Sequence, residues 1–458
     1  MNSTVIDAFA VIDPEAEVRI RSDDRRHVFH SWSAQGAIDP LPVASGRGAT
    51  FWDYAGNSYL DFSSQLVNLN LGHQHPDLVR AIQDQAGRLA TIQPSVANDV
   101  RGELARLISG VAGDGFTKVF FTNGGADANE NAVRMARLVT GKRKVLSAYR
   151  SYHGNTTTAI SLTGDPRRWA NEPGDGSVAH FFGPYLYRSA FHATTPEEES
   201  ERALAHLEQV IVLEGASTIG AIVLETIVGT NGVLIPPPGY LEGVRALCDK
   251  YGIIWIADEV MVGFGRVGEW FAFQAFGATP DLITFAKGVN SGYVPLGGVV
   301  ISDRIAAHFD AVPFPGGLTY SGHPLACAAG VATFGVFERE NILERVRDLG
   351  TRVVAPRLAA IAERHESVGE TRGMGLFWAI ELVKDRTTRE PLVPFNASGA
   401  DAAPVAAVAA ACRKAGLSPF THFNRVHVAP PLVISESDLS DGLDIIDDAL
   451  DEADKYLA

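Results

Sequence analysis

Two apolar runs of strand length, 253–257 and 282–286, each end in an ionisable residue, Asp258 and Lys287. Neither run alternates polar with apolar residues, so each reads as a strand buried on both faces, the pattern of a parallel sheet. Parallel strands need long crossovers, and the helices that supply them cover both faces of the sheet. Such a sheet collects its ligands just beyond the carboxyl ends of its strands. Asp258 and Lys287 are therefore expected to project into one crevice from neighbouring strands of an α/β fold.

The flanking segments repeat this arrangement. Residues 118–122 read as a strand that runs into Asn123, Gly124 and Gly125 and then into a helix. Two glycines let the backbone approach a ligand, and the free amides of a helix start favour a phosphate. Gly124, Gly125 and Ala126 are thus candidate phosphate ligands, with a plain chain turn as the competing reading. Residues 144–149 form another short strand with Tyr152 just past its end, placed either to stack on a flat ring or to be buried. A third apolar run, 219–225, closes on Glu225. Helices are expected at 76–89, 197–213 and up to 251, while the Gly-, Pro- and acid-rich segment 164–200 reads as a surface excursion. Alternation of strands and helices over 66–325 predicts a mostly parallel central sheet in a large domain.

Residues 49–61 read as a hairpin turning at Ala55-Gly56-Asn57, and 1–45 as an arm on a larger body. Beyond 326, helices at about 341–365, 401–415 and 437–456 and short runs at 376–383 and 425–428 predict a smaller α+β domain. The expected division is 1–65 as arm and hairpin belonging to the small domain, 66–325 as the large ligand-binding domain, and 326–458 as the C-terminal small domain.

Fifty-four acidic against 39 basic residues give a net charge of −15, which disfavours nucleic acid or an anionic membrane as a partner. No stretch approaches the roughly 18–20 apolar residues that span a bilayer. The first residues show no basic-then-apolar leader, and three scattered cysteines form neither a disulfide framework nor a metal cluster. The expected compartment is the cytoplasm. His73 and His75 lack an acidic or cysteine partner at ligand spacing, so no metal is expected.

Three chemistries can use Asp258 and Lys287. Gly263, Gly265 and Gly268 spell the G-x-G-x-x-G of a nicotinamide enzyme. Yet Asp258 and Glu259 intervene between strand and glycines, and Asp281 begins a run where the fingerprint's acid ends one. Thr284-x-x-Lys287 resembles the S-x-x-K of serine acyl-transfer enzymes, but Thr284 lies inside a strand and no K-T-G or S-D-N element accompanies it. Pyridoxal phosphate needs a lysine, a carboxylate for the ring nitrogen, a glycine turn for the phosphate and an aromatic cover. Lys287, Asp258, Gly124–Ala126 and Tyr152 fill those places together.

The sequence resembles the class III, or ω-amino-acid, aminotransferases from about residue 45 to 432. The matching elements are Asp53-Tyr-x-Gly56, Tyr59-Leu-Asp61, Gly72-His-x-His-Pro76, Tyr152-His-Gly154, Asp258-Glu-Val260 with Gly263-Phe-Gly-Arg266, Phe285-Ala-Lys287-Gly288 and Thr319-Tyr-Ser-Gly-His-Pro324. The resemblance is nearest to the ω-amine or ω-amino acid:pyruvate branch, taurine–pyruvate enzymes included. It implies a fold type I enzyme with pyridoxal 5′-phosphate, and a homodimer, or a tetramer built from it, with sites at the subunit interface. By this resemblance Lys287 bonds the cofactor and serves as base, and Asp258 pairs with the ring nitrogen. Tyr152 and Val260 cover the two ring faces, and Gly125 and Ala126 bind the phosphate. Thr319 reaches the neighbouring subunit's phosphate, and Glu225 lies near the phenolic oxygen. The reaction implied is transfer of an amino group from a primary amine or ω-amino acid to a keto acid, pyruvate foremost. An aminomutase using the same residues is the alternative within the family, and a nicotinamide oxidoreductase the alternative outside it.

Three departures stand out. Gly125-Ala126 replaces the usual Gly-Ser, removing a hydroxyl from the phosphate turn. Glu225-Thr226 replaces Glu-Pro. Phe420 occupies the position where many members carry an arginine for the substrate carboxylate, and a desolvated carboxylate without a charged partner is costly. Arg425 is a nearby candidate for that task, against the reading of a surface arginine on a strand edge. Leu66 and Val67 are expected to shape the substrate pocket.

Overall fold

The computed structural model describes residues 13–457; the leader reading of the first residues lies outside them. Val43–Arg47 (β1), Thr50–Asp53 (β2) and Ser58–Asp61 (β3) form a meander that includes the expected hairpin. The central sheet follows with Phe116–Thr122 (β4), Lys144–Ala148 (β5), Val178–Phe181 (β6), Ile219–Glu225 (β7), Ile254–Asp258 (β8), Leu282–Phe285 (β9) and Gly297–Ser302 (β10). Val368–Met374 (β11), Phe377–Asp385 (β12), Glu390–Pro391 (β13), Leu417–Ser418 (β14), Phe420–His422 (β15) and Arg425–Val428 (β16) complete the set. β14 pairs in parallel with β3, so both ends of the chain build one sheet. β11, β12, β16 and β15 form another, with β13 on β12.

The central order is β4-β10-β9-β8-β7-β5-β6. β9, β8, β7, β5 and β6 run parallel, while β10 is antiparallel to both β4 and β9. Six strands therefore point one way, and their carboxyl ends share one edge. Every residue of β8 and β9 is buried, as two-sided coverage requires. Ile254 and Ile256 face the Gly125–Thr140 helix with Ala128, Ala132 and Val133. Trp255 and Ala257 face the Tyr240–Tyr251 helix with Leu241, Val244 and Cys248. Burying each large side chain of this kind contributes about 1.5–3 kcal/mol.

Among the strands that were not expected are β6, β10 and β11. β6 lies inside the segment that composition marks as a surface excursion, and it adds in parallel to β5 at the sheet edge. β10 starts at Gly297-Gly298, where a Cβ at 297 would stand 2.5 Å from the Gly124 carbonyl oxygen; the close approach demands residues that mask a strand. β11 is rich in Gly, Glu, Thr and Arg and shows no apolar run. The glycines at 263–268 connect strands and open no helix. Gly265 and Gly268 have φ of 87° and 92° and pack on Phe337 and Arg347. His73 faces Asp61, and His75 Nδ1 caps the Pro76–Arg88 helix. Among the described residues no helix is long and apolar enough to cross a membrane.

Candidate active site

The carboxyl edge brings three expected ionisable residues together. Register places Glu225 of β7 opposite Asp258 of β8, and Asp258 opposite Thr284 of β9, with Lys287 three residues further along the same strand exit. Neighbouring strands lie about 4.8 Å apart, so the two carboxylates and the amine occupy one crevice.

Asp258 is 3% exposed and tightly held. Its Oδ2 accepts from Asn129 Nδ2 at 2.8 Å and lies 2.7 Å from His153 Nδ1, and its Oδ1 accepts from Val260 N at 3.0 Å. Asn129 Nδ2 also donates to His153 O at 2.8 Å, and its Oδ1 accepts from Thr284 Oγ1 at 2.8 Å. Thr284, a nucleophile only by motif, is thus an orienting hydroxyl in the core. Burial works against a charged His153 ring, but the bond to Asp258 and the charges of Asp258 and Glu225 outweigh it and raise its pKa. A charge-assisted pair of this kind fixes the direction of the carboxylate.

Glu225 accepts from Tyr152 N at 2.9 Å and Gly229 N at 2.7 Å. Burial pushes its pKa up to about 7, with His153 opposing and Asp258 adding to the rise. Lys287 sits at φ 47°, in the left-handed region that a lysine rarely adopts. Burial lowers its amine to about 8, against the pull of Asp258 and Glu225. A lysine so depressed keeps a useful neutral fraction near pH 7, as a nucleophile and base requires.

The Gly125–Thr140 helix starts without a side-chain cap, so its first amides are free for an anion. A Cβ at Gly125 would stand 2.7 Å from Val260 Cγ1; the glycine is what lets Val260 lie against the phosphate turn. Tyr152 is met edge-on by Trp32 at 6.3 Å, so the arm anticipated at the N-terminal side reaches the site. Thr319 lies on an exposed turn apart from these residues, and Leu66 is 59% exposed. Val67 is buried with Ile227 and Val262, and Phe420 and Met261 pack on that cluster. Phe420 also stacks on His427 at 4.4 Å.

Arg425 is not a surface arginine. It is 2% exposed, registers opposite Glu381 of β12 and holds Nε 3.5 Å from Glu381 Oε2. The surface reading fails because β15, β12 and the 182–188 segment enclose it. The sequence reading gave no role to His153, Asn129 or Arg167, whose guanidinium carbon lies 3.7 Å from the centre of the Tyr152 ring. His153 was visible only as part of the Tyr152-His-Gly154 motif. Asn129 was visible only as the residue one helical turn beyond Gly125.

These donors suit one cofactor. A phosphate would take the amides at 124–126, a ring nitrogen Asp258, a phenolic oxygen Glu225 and an aldehyde the amine of Lys287, and pyridoxal 5′-phosphate carries all four groups. The class is therefore that of the fold type I pyridoxal-phosphate enzymes. Within it, the chain belongs to the class-III aminotransferase family, whose pattern matches residues 33–450, and its cofactor is pyridoxal 5′-phosphate. It is 33% identical to the hypotaurine/taurine–pyruvate aminotransferase of Paracoccus denitrificans, over 96% of this chain and 98% of that one. It is 35% identical to the 4-aminobutyrate aminotransferase of Escherichia coli K12, over 91% and 95%. The structure of a taurine:2-oxoglutarate aminotransferase from Bifidobacterium kashiwanohense, in complex with PLP and glutamate, superposes with a TM-score of 0.93 at 42% identity, covering 96% of this chain and 99% of that one.

Proposed function

We propose that this aminotransferase moves the amino group of an ω-amino acid or primary amine to pyruvate. The observation that carries the choice of acceptor is Phe420, half-buried against the cluster of Val67 and Met261, an apolar side chain that offers no charge to a second carboxylate. Bound to the site, the cofactor withdraws electrons from the carbon that bears the amine. Asp258, fixed by Asn129 and His153, keeps the ring nitrogen protonated. Lys287 removes the proton at the amine-bearing carbon and returns one to the acceptor carbon. Glu225, kept near pH 7 by burial, shares protons with the phenolic oxygen. Val260 and Tyr152 cover the two faces and exclude water.

A second reading, with 2-oxoglutarate as acceptor, is favoured by the Bifidobacterium relative, a taurine:2-oxoglutarate aminotransferase whose complex holds glutamate. Initial rates with pyruvate and 2-oxoglutarate at equal concentration separate the two. Pyruvate is expected to be at least tenfold faster, and equal rates overturn the Phe420 argument. Conversion of an amine that requires no keto acid would instead indicate an aminomutase.

The same reading makes the protein a cytoplasmic homodimer, with the exposed turn at Thr319 serving the neighbouring copy and 66–325 as the cofactor-binding domain. Light scattering is expected to give twice the chain mass or four times it. A monomer that remains active overturns the shared site.

A further inference from the structure

The Pro166–Asn171 turn delivers a charged group that holding the cofactor does not use. Arg167 lays its guanidinium on the Tyr152 ring. Its charge also reaches Lys287, whose pKa it helps to lower, and His422 of β15. The side chain is fixed. Asp165, 1% exposed, accepts from Arg167 Nε at 3.1 and 3.0 Å, from Nη2, and from the Arg167 backbone N at 3.0 Å. Asp165 is itself anchored by Asn231 Nδ2 at 3.0 Å. Asp165 thus occupies one edge of the guanidinium fork, and Nη1 has no hydrogen-bond partner among the described residues.

His422 shows a matching gap. Its Nε2 is buried without a hydrogen-bond partner, and burial, with the Arg167 charge next, pushes its pKa down to about 3. The ring is neutral at working pH and still has a nitrogen to offer. Of the other arginines nearby, Arg188 and Arg372 bond Glu381. Arg150 lies over the Tyr185 and Phe395 rings, and Arg425, whose Nε and Nη1 are buried without a hydrogen-bond partner, directs its charge at Glu381 from 3.5 Å.

We propose that Arg167 recognises the acid group of the substrate, a carboxylate or sulfonate, with Asp165 and Asn231 as positioning residues and His422 as a second contact. The proposal rests on the transaminase reading above and names what replaces the charge that position 420 lacks. A guanidinium presents five donors in a rigid fork, and an edge left free beside a clamped one is preorganised for an oxyanion. Stacking on the Tyr152 face shields the pair from water and adds a cation–π contribution. A guanidinium with one free edge serves one acid group, which accords with monoacid substrates and with a keto acid that carries no second carboxylate.

The test uses the holoenzyme and two unreactive acids, propanoate and ethanesulfonate, titrated by calorimetry. Wild type is expected to bind both in the millimolar range or tighter. Arg167→Gln is expected to weaken binding at least tenfold, Arg167→Lys to recover part of the loss, and Asp165→Asn to fall between. Cofactor content and melting temperature are followed in parallel, because a merely structural Arg167 would lower these and leave acid affinity intact in the fraction still loaded. Unchanged affinity in Arg167→Gln, or no acid binding by wild type, overturns the proposal. Failure of the underlying reading shows separately, as a wild-type holoenzyme whose absorbance does not change with any amine donor.

Discussion

Lys287→Ala is expected to lower transamination by about 10⁴-fold or more while the cofactor still binds, since general-base and covalent contributions are lost together. The amine acts from inside the protein, where burial brings its pKa to about 8. Among the described residues no other lysine is placed to substitute. Lys142 bonds the Tyr251 and Gly252 carbonyls, and Lys144 bonds Glu214, both at the amino end of β5. The other groups proposed to hold the cofactor, Asp258, Glu225 and the amides at 124–126, do not depend on Lys287, so retention of cofactor absorbance after gel filtration is expected. Borohydride treatment of wild type fixes the cofactor on whichever lysine holds it, and peptide mapping is expected to find it on Lys287. A label elsewhere, or full turnover in Lys287→Ala, overturns the assignment. Partial rescue by methylamine would show that an amine is the missing element.

How much of this site the sequence reveals follows from how each residue is held. Asp258, Lys287 and Glu225 are legible because an apolar run that closes on an ionisable residue marks a strand end, and strand ends share an edge. The phosphate turn is legible only in combination: Gly-Gly before a helix more often just turns the chain, and it reads as a phosphate site because it falls at a strand end together with Asp258, Lys287 and Tyr152. His153 and Asn129 are buried and pair with Asp258 from 105 and 129 residues away, and no local pattern records such a pairing. Arg167 was hidden by the composition of 164–200, which suggests a surface loop; that segment instead supplies an edge strand, Asp165 and a guanidinium to the site. Arg425 lies in the run Arg-Val-His-Val, whose alternation suggests one polar face in water. That face is covered, and its arginine is opposite a glutamate on β12.

That glutamate carries the other large prediction: Glu381→Gln is expected to destabilise the fold by about 3–5 kcal/mol, the range for removing one partner of a buried charge cluster. Glu381 is 0% exposed. It accepts from Arg188 Nε at 2.5 Å, from Arg372 Nη2 at 2.6 Å and from the Tyr185 hydroxyl, and faces Arg425. Burial alone would raise its pKa, but the charges of Arg372 and Arg425 and the Tyr185 bond hold it well below the usual carboxylate range. Glutamine keeps the shape and removes the charge, leaving three arginines without their shared anion. The sign with pH follows from the depressed pKa. The stabilisation is complete above the unfolded value of about 4.3 and is lost as pH falls toward the folded one. Urea unfolding of the two proteins is therefore expected to differ most above pH 5 and to narrow progressively below pH 4 as the folded-state pKa is approached. An unchanged difference at acid pH would mean that Glu381 is not the source of the effect. Adding Arg372→Met to Glu381→Gln should recover part of the loss, because an apolar side chain removes one uncompensated charge. The cluster also bears on the chemistry. Arg425 is on the strand paired with Phe420–His422, the segment that sets the apolar side chain at 420 and holds His422 near Arg167. Where Glu381→Gln still folds, the Michaelis constant for the keto acid is expected to rise more than turnover falls, since Lys287 and Asp258 are anchored on strands that the cluster does not touch.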